Sequence, residues 1–155
     1  MRLSRVGRTI ALVAGILLST SLLAQKEFKG KRKKFHQLPK ALLEQSDWSH
    51  IDLRKNKLEV FPLVLGEHER LKELRLSRNP LVWQDTLIGF PALEYLDLWD
   101  TDIETVPVYV AGFSSLKKLD LRETYLDEEN REALEAVFPG VQILLSERCD
   151  CRPKK

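Results

Sequence analysis

Apolar residues recur along this chain in a fixed frame. Leu71-Lys-Glu-Leu74-Arg-Leu76-Ser-Arg-Asn79-Pro-Leu81 places leucines at positions 1, 4, 6 and 11 and an asparagine at position 9. The same frame opens at Trp48 (Ile51, Leu53, Asn56, Leu58), at Leu93 (Leu96, Leu98, Thr101, Ile103) and at Leu116 (Leu119, Leu121, Thr124, Leu126). A decayed copy starts at Val141 with Leu144 and runs to Ser146 and Cys149; successive starts lie 23, 22, 23 and 25 residues apart. In the x-Leu-x-Leu-x stretch alternate side chains face opposite sides of a short strand, so both leucines turn inward. At position 9 the chain turns and buried backbone groups need a partner. An amide both donates and accepts, which suits Asn56 and Asn79 to that place. Thr101, Thr124 and Cys149 continue the column with less hydrogen-bonding capacity, which predicts a looser ladder towards the C-terminus.

Four frames with matched internal spacing and a period of about 20–29 residues resemble the leucine-rich repeat family over residues 38 to 149. The resemblance implies an α/β fold, a short right-handed leucine-rich repeat solenoid. Its concave face would be a parallel β-sheet and its convex side irregular or short-helical, with four to five repeats and a C-terminal cap helix. It also implies a non-catalytic module for protein–protein interaction, because similar proteins mostly bind other proteins on the concave face.

The return halves of the repeats have columns of their own. Pro62 and Pro107 share one offset, where a fixed φ and a missing N–H suit an irregular segment. Phe90, Phe113 and Phe138 each stand three residues before a start and predict an aromatic spine that His68 interrupts; Gly89 and Gly112 precede two of them. The predicted organisation is an N-terminal cap over 35–47, with Leu38-Pro39-x-x-Leu42 matching the second half of a repeat and no strand half before it. Four repeats over 48–140 and the decayed last repeat over 141–149 follow. Asp127 to Phe138 predicts an amphipathic cap helix, acidic in its first turn and stopped by Pro139-Gly140. Its acids lack the D-x-D-x-D-G spacing of a calcium loop.

The first residues change the charge picture. Arg2, Arg5 and Arg8 precede an uncharged run from Thr9 to Gln25, 17 residues long, with small residues near its end. This is the layout of a secretory signal peptide over 1–24, cleaved after Ala24, with a cut after Ser21 as the other site that fits. The predicted location is secreted or periplasmic. The alternative is a membrane tether through an uncleaved anchor, for which the run is short of the roughly 20 residues of a span. The full chain carries +2, but the segment 1–24 holds three Arg and no acid, which leaves −1. Lys26 to Lys34 holds six basic residues and one acidic, and 25–34 predicts a basic flexible arm. Phe35 to Cys151 holds 13 basic and 22 acidic residues, and a tail follows over 150–155. An acidic body with basic ends does not fit a nucleic-acid binder, whose cations would cover one face; a monomer is expected.

No catalytic constellation stands out. His36, His50 and His68 lie in different contexts and belong to no nucleophile motif, and there is no P-loop, G-x-G-x-x-G or H-E-x-x-H. No cofactor and no metal is expected, since Cys149-Asp-Cys151 without histidine partners is a poor zinc set. Cys149 fits a buried place in the asparagine column; a C-x-C bond or an intermolecular link through Cys151 stays open.

The informative surface is the concave face, where positions 3, 5 and 7 point outward. They are His50, Asp52, Arg54; Glu73, Arg75, Ser77; Tyr95, Asp97, Trp99; and Lys118, Asp120, Arg122. Arg54, Arg75, Tyr95, Asp97, Trp99, Asp120 and Arg122 form the candidate binding set, because aromatics and arginine dominate energetic hot spots. Cross-strand pairing, for example Arg75 with Asp52 or Asp97, explains part of the charge pattern; it does not explain an exposed Trp99. The expected partner is another protein. The competing class is attachment to an anionic surface, glycan or lipid headgroup through Lys26–Lys34, with each cation contributing about 1 kcal/mol.

Overall fold

The computed structural model describes residues 25–83, 89–105 and 112–147. The segment 1–24, Pro107, Cys149, Cys151 and the tail 150–155 lie outside the described residues. Six three-residue strands join in chain order into one open parallel sheet. They are β1 (Glu27–Lys29), β2 (His50–Asp52), β3 (Glu73–Arg75), β4 (Tyr95–Asp97), β5 (Lys118–Asp120) and β6 (Gln142–Leu144). The return segments carry α1 (Lys40–Glu44), a 3-10 turn at Leu63–Glu67 and α2 (Glu128–Val137). The Asp127 carboxylate caps α2, accepting from the Asn130 N–H at 2.8 Å.

The register explains why the leucines recur. Phe28, Ile51, Leu74, Leu96, Leu119 and Ile143 pair in one row across all six strands. The four central members of that row are buried, as are Leu53, Leu76, Leu98 and Leu121 two residues on. Equivalent residues therefore stack on one another from repeat to repeat, and no single repeat buries its own apolar face. Deeper in, Phe61 packs edge-on against Phe90 (ring centroids 5.7 Å), Phe90 stacks on Phe113 (5.4 Å), and Phe113 meets Phe138 edge-on (6.3 Å). Gly89 and Gly112 sit backbone against backbone: a Cβ on either would fall on the Cα of the other, and the Phe90 N–H donates to the Gly112 carbonyl at 2.5 Å. His68 is buried in the place of a phenylalanine, and its Nδ1 has no hydrogen-bond partner among the described residues.

The asparagine column bridges repeats. Asn56 Nδ2 donates to the carbonyls of Gly30 (2.9 Å) and Leu53 (2.8 Å), while its Oδ1 accepts from the N–H groups of Lys33 (3.0 Å) and Phe35 (3.1 Å). Asn79 donates to Leu53 (3.0 Å) and Leu76 (2.6 Å) and accepts from the Leu58 N–H (3.2 Å). Among the described residues the Thr101 and Thr124 hydroxyls donate only within their own repeats, to Leu98 (2.8 Å) and Leu121 (2.7 Å).

The N-terminal end departs from the predicted free arm. Glu27–Lys29 is a strand paired with β2, so the residues before Leu38 do supply a strand half. Two residues of the basic stretch are tied down. Lys26 Nζ reaches Gln45 (2.8 Å) and Asp47 (2.5 Å) and lies 4.3 Å from the centre of the Trp48 ring, and Lys29 pairs with Glu27 at 3.1 Å. The strand is hard to see in the sequence because Gly30 stands where the next repeats have Leu53 and Leu76. The rings of Phe28 and Phe35 take that missing volume, each within 3.1 Å of where a Gly30 Cβ would sit.

Candidate functional site

The outward positions of the strands build the site. Position 7 of successive repeats gives Lys31, Arg54, Ser77, Trp99 and Arg122, and all five line one hollow of about 350 Å3. Lys55, Arg78, Tyr95, Asp97 and Asp120 complete its lining.

One local unit recurs along the floor. An aspartate at position 5 takes the backbone N–H of position 7 and, where position 7 is arginine, its guanidinium as well. Asp52 accepts from Arg54 N (3.1 Å), Nε (2.9 Å) and Nη2 (2.6 Å). Asp120 accepts from Arg122 N (3.2 Å), Nε (2.9 Å) and Nη2 (2.7 Å). Asp97 instead accepts from the Trp99 N–H (3.2 Å) and the Ser77 hydroxyl (2.8 Å). These carboxylates thus fix the direction in which Arg54, Trp99 and Arg122 leave the sheet. Asp97 and Asp120, only 6% and 2% exposed, are supports of the hollow and not outward contacts.

Their burial sets the electrostatics. Burial pushes the Asp97 carboxyl above its ordinary 3.8, against the Ser77 and Trp99 hydrogen bonds, and the like charge of Asp120 on the next strand adds to the rise. Asp52 is the opposite case: burial raises it, but the hydrogen bonds from Arg54 outweigh burial and hold it low. Burial, then the charges of Asp97 and Asp120, pushes the Tyr95 phenol up to about 12, so it stays protonated at neutral pH.

The rim comes from position 8, where the chain turns away from the strand. Arg32, Lys55, Arg78, Asp100 and Glu123 all adopt left-handed backbone, with φ between 57° and 59°. Such residues are ordinarily glycine or asparagine. Here the turn aims the N–H of Arg32, Lys55, Arg78 and Asp100 at the next repeat's carbonyl, at Arg54 (3.0 Å), Ser77, Trp99 and Arg122 (2.9 Å each). The inter-repeat hydrogen bond offsets the backbone strain. Side chains on this rim are basic in the first three repeats and acidic in the next two. Arg78 lies 4.3 Å from the centre of the Trp99 ring and 3.7 Å from Asp100, and Lys118 lies 5.2 Å from the Tyr95 ring. Trp99 is half-buried, not fully exposed.

Six of the seven residues in the predicted binding set, Arg54, Tyr95, Asp97, Trp99, Asp120 and Arg122, meet in this hollow. Arg75 does not. It pairs with Glu73 in its own strand, not across to Asp52 or Asp97, and lines a smaller dent of about 50 Å3 with His50 and Glu73. Lys31, Lys55, Ser77 and Arg78 are the lining residues the predicted set lacks, Ser77 being an outward position 7 left out of it. Lys31 is recoverable from its 23-residue offset to Arg54; Lys55 and Arg78 are not, because turn residues carry no inward or outward pattern.

The architecture is shared with a solved structure. A leucine-rich repeat protein of Leptospira interrogans superposes with a TM-score of 0.63 at 22% sequence identity, over 69% of this chain and 28% of that one. The fold is that of a leucine-rich repeat protein. This chain spans little more than a quarter of that relative's length. No protein-family model matches the sequence, and no curated protein does.

A second surface is apolar. Leu43, Val60, Val64 and Val82 are exposed, and a hollow of about 550 Å3 on the return side is lined by Leu43, Val60 and Val64 together with Leu38, Phe61 and Pro62.

Proposed function

We propose that this chain is a non-catalytic protein-binding module that receives its partner on the concave strand face. The observation that carries the reading is the pairing of half-buried Tyr95 and Trp99 with five cations in one hollow. Tryptophan, tyrosine and arginine are the side chains that most often carry interface energy, and leucine-rich repeat folds offer this face to proteins. Buried Asp97 and Asp120 hold the binding side chains in place before a partner arrives, which lowers the entropic cost of association.

We read the solenoid as five repeats and a sixth strand. The Phe28 and Phe35 rings close its first end, and α2 with β6 closes the last. The protein is exported by its first 24 residues, and the sheet starts at Glu27, just beyond the preferred cleavage site. Surface attachment through Lys26–Lys34 has less support, because Lys26 and Lys29 are already engaged by the fold.

Capture from the native compartment tests the proposal. Wild type should retain a protein that the Tyr95→Ala/Trp99→Ala variant loses while keeping its thermal midpoint. Equal capture by a folded double variant would remove the concave face as the binding site.

A further inference from the structure

We infer that the cationic end of the hollow receives an extended, carboxylate-rich segment of the partner protein. The inference rests on the concave-face reading and specifies the chemistry of the ligand. Lys31, Arg54, Lys55, Arg78 and Arg122 line the hollow against two carboxylates, and both of those are already hydrogen-bonded. Arg54 and Arg122 have their own aspartates, and Arg78 has Asp100 and the Trp99 ring. Lys31, Arg32 and Lys55 have no ion-pair partner among the described residues. Arg32, Lys55 and Arg78 nevertheless occupy equivalent places in three successive repeats, and like charges so placed repel. Partial burial and the charges of Arg32, Arg78, Lys31 and Arg54 together push the Lys55 ammonium down. Folding alone gains nothing from this grouping; an anion across it relieves the repulsion.

Geometry selects a chain over a planar surface. Strands lie about 4.8 Å apart, so Arg32, Lys55 and Arg78 span roughly 10 Å, the reach of about three extended residues crossing the strands. Tyr95 and Trp99 line the hollow itself, where a flat bilayer touches only the rim. Guanidinium groups donate to carboxylates in a two-point fit, and the lysines add charge without fixing geometry.

The test uses the full-length chain, a fluorescently labelled deca-glutamate peptide read by anisotropy, and phosphatidylglycerol vesicles read by co-sedimentation. Arg32→Glu/Lys55→Glu reverses two of the three basic rim charges. Asp100 and Glu123 hold the same left-handed conformation, so glutamate suits the backbone there. Lys40→Glu, at an exposed residue of α1, makes a charge change away from the hollow. The peptide should bind wild type and Lys40→Glu alike, bind the double variant ~10-fold or more weakly, and lose affinity as salt rises. No peptide binding, equal binding to the double variant, or binding to vesicles alone would each overturn the inference. Partner capture that is lost in Tyr95→Ala/Trp99→Ala but intact in Arg32→Glu/Lys55→Glu would overturn it too, while leaving the concave face as the binding site.

Discussion

Asn56 and Asn79 each tie two repeats together with one amide, whereas Thr101 and Thr124 reach only their own. Asn79→Ala strands the carbonyl of Leu76 and the N–H of Leu58 and leaves the Leu53 carbonyl to Asn56 alone, which predicts a loss of about 1–3 kcal/mol in urea unfolding. Thr124→Ala leaves a single carbonyl and should cost less; equal costs would contradict the bridging role. Asp97 offers a test by pH. Its folded carboxyl ionises above the ordinary 3.8, so between the two values the native state holds more protons than the unfolded chain. Stability from this group therefore falls as pH rises through that window. Asp97→Asn keeps an acceptor for the Trp99 N–H and removes the ionisation. The variant should exceed wild type in thermal midpoint at pH 7 and lose that advantage below about pH 3.8; a constant deficit at both pH values would contradict the assignment. The asparagine column is legible in the sequence because few side chains both donate and accept in a buried turn. The left-handed column is not, because Arg32, Lys55 and Arg78 are residues of no turn preference that the inter-repeat hydrogen bonds hold in place.

At the scale of the element, spacing carries the information. The rows Ile51, Leu74, Leu96 and Leu119 declare four strands through one repeated offset, and the structure pairs them in that register. β1 escapes the pattern because Gly30 lacks the inward side chain and the surrounding lysines imitate a solvated arm. Phe28 is the residue that separates the two descriptions. It pairs with Ile51, meets Trp48 edge-on at 5.5 Å and covers the open end of the core. Phe28→Ala should cost on the order of 2 kcal/mol, less than the about 3–5 kcal/mol of a fully buried phenylalanine. A free arm would lose nothing, and chemical unfolding distinguishes the two.

Over the whole molecule the same strand that buries leucines on one face displays the proposed binding groups on the other, so scaffold and candidate site share a register. This is why six of the seven residues in the predicted binding set meet in one hollow while Arg75, set apart by its ion pair with Glu73, does not. Alternation along a strand shows which residues face outward; it does not show which neighbours neutralise them, and that depends on the pairing. The molecule also presents an apolar return side at Leu43, Val60 and Val64, which competes with the concave face for the role of interface. The measurement that decides between them most directly is amide chemical-shift mapping of the labelled protein on adding its captured partner. Binding on the concave face predicts shifts concentrated at Arg54, Ser77, Trp99 and Arg122. Shifts confined to Lys40–Glu44 and Leu63–Glu67, with those four unmoved, would contradict it.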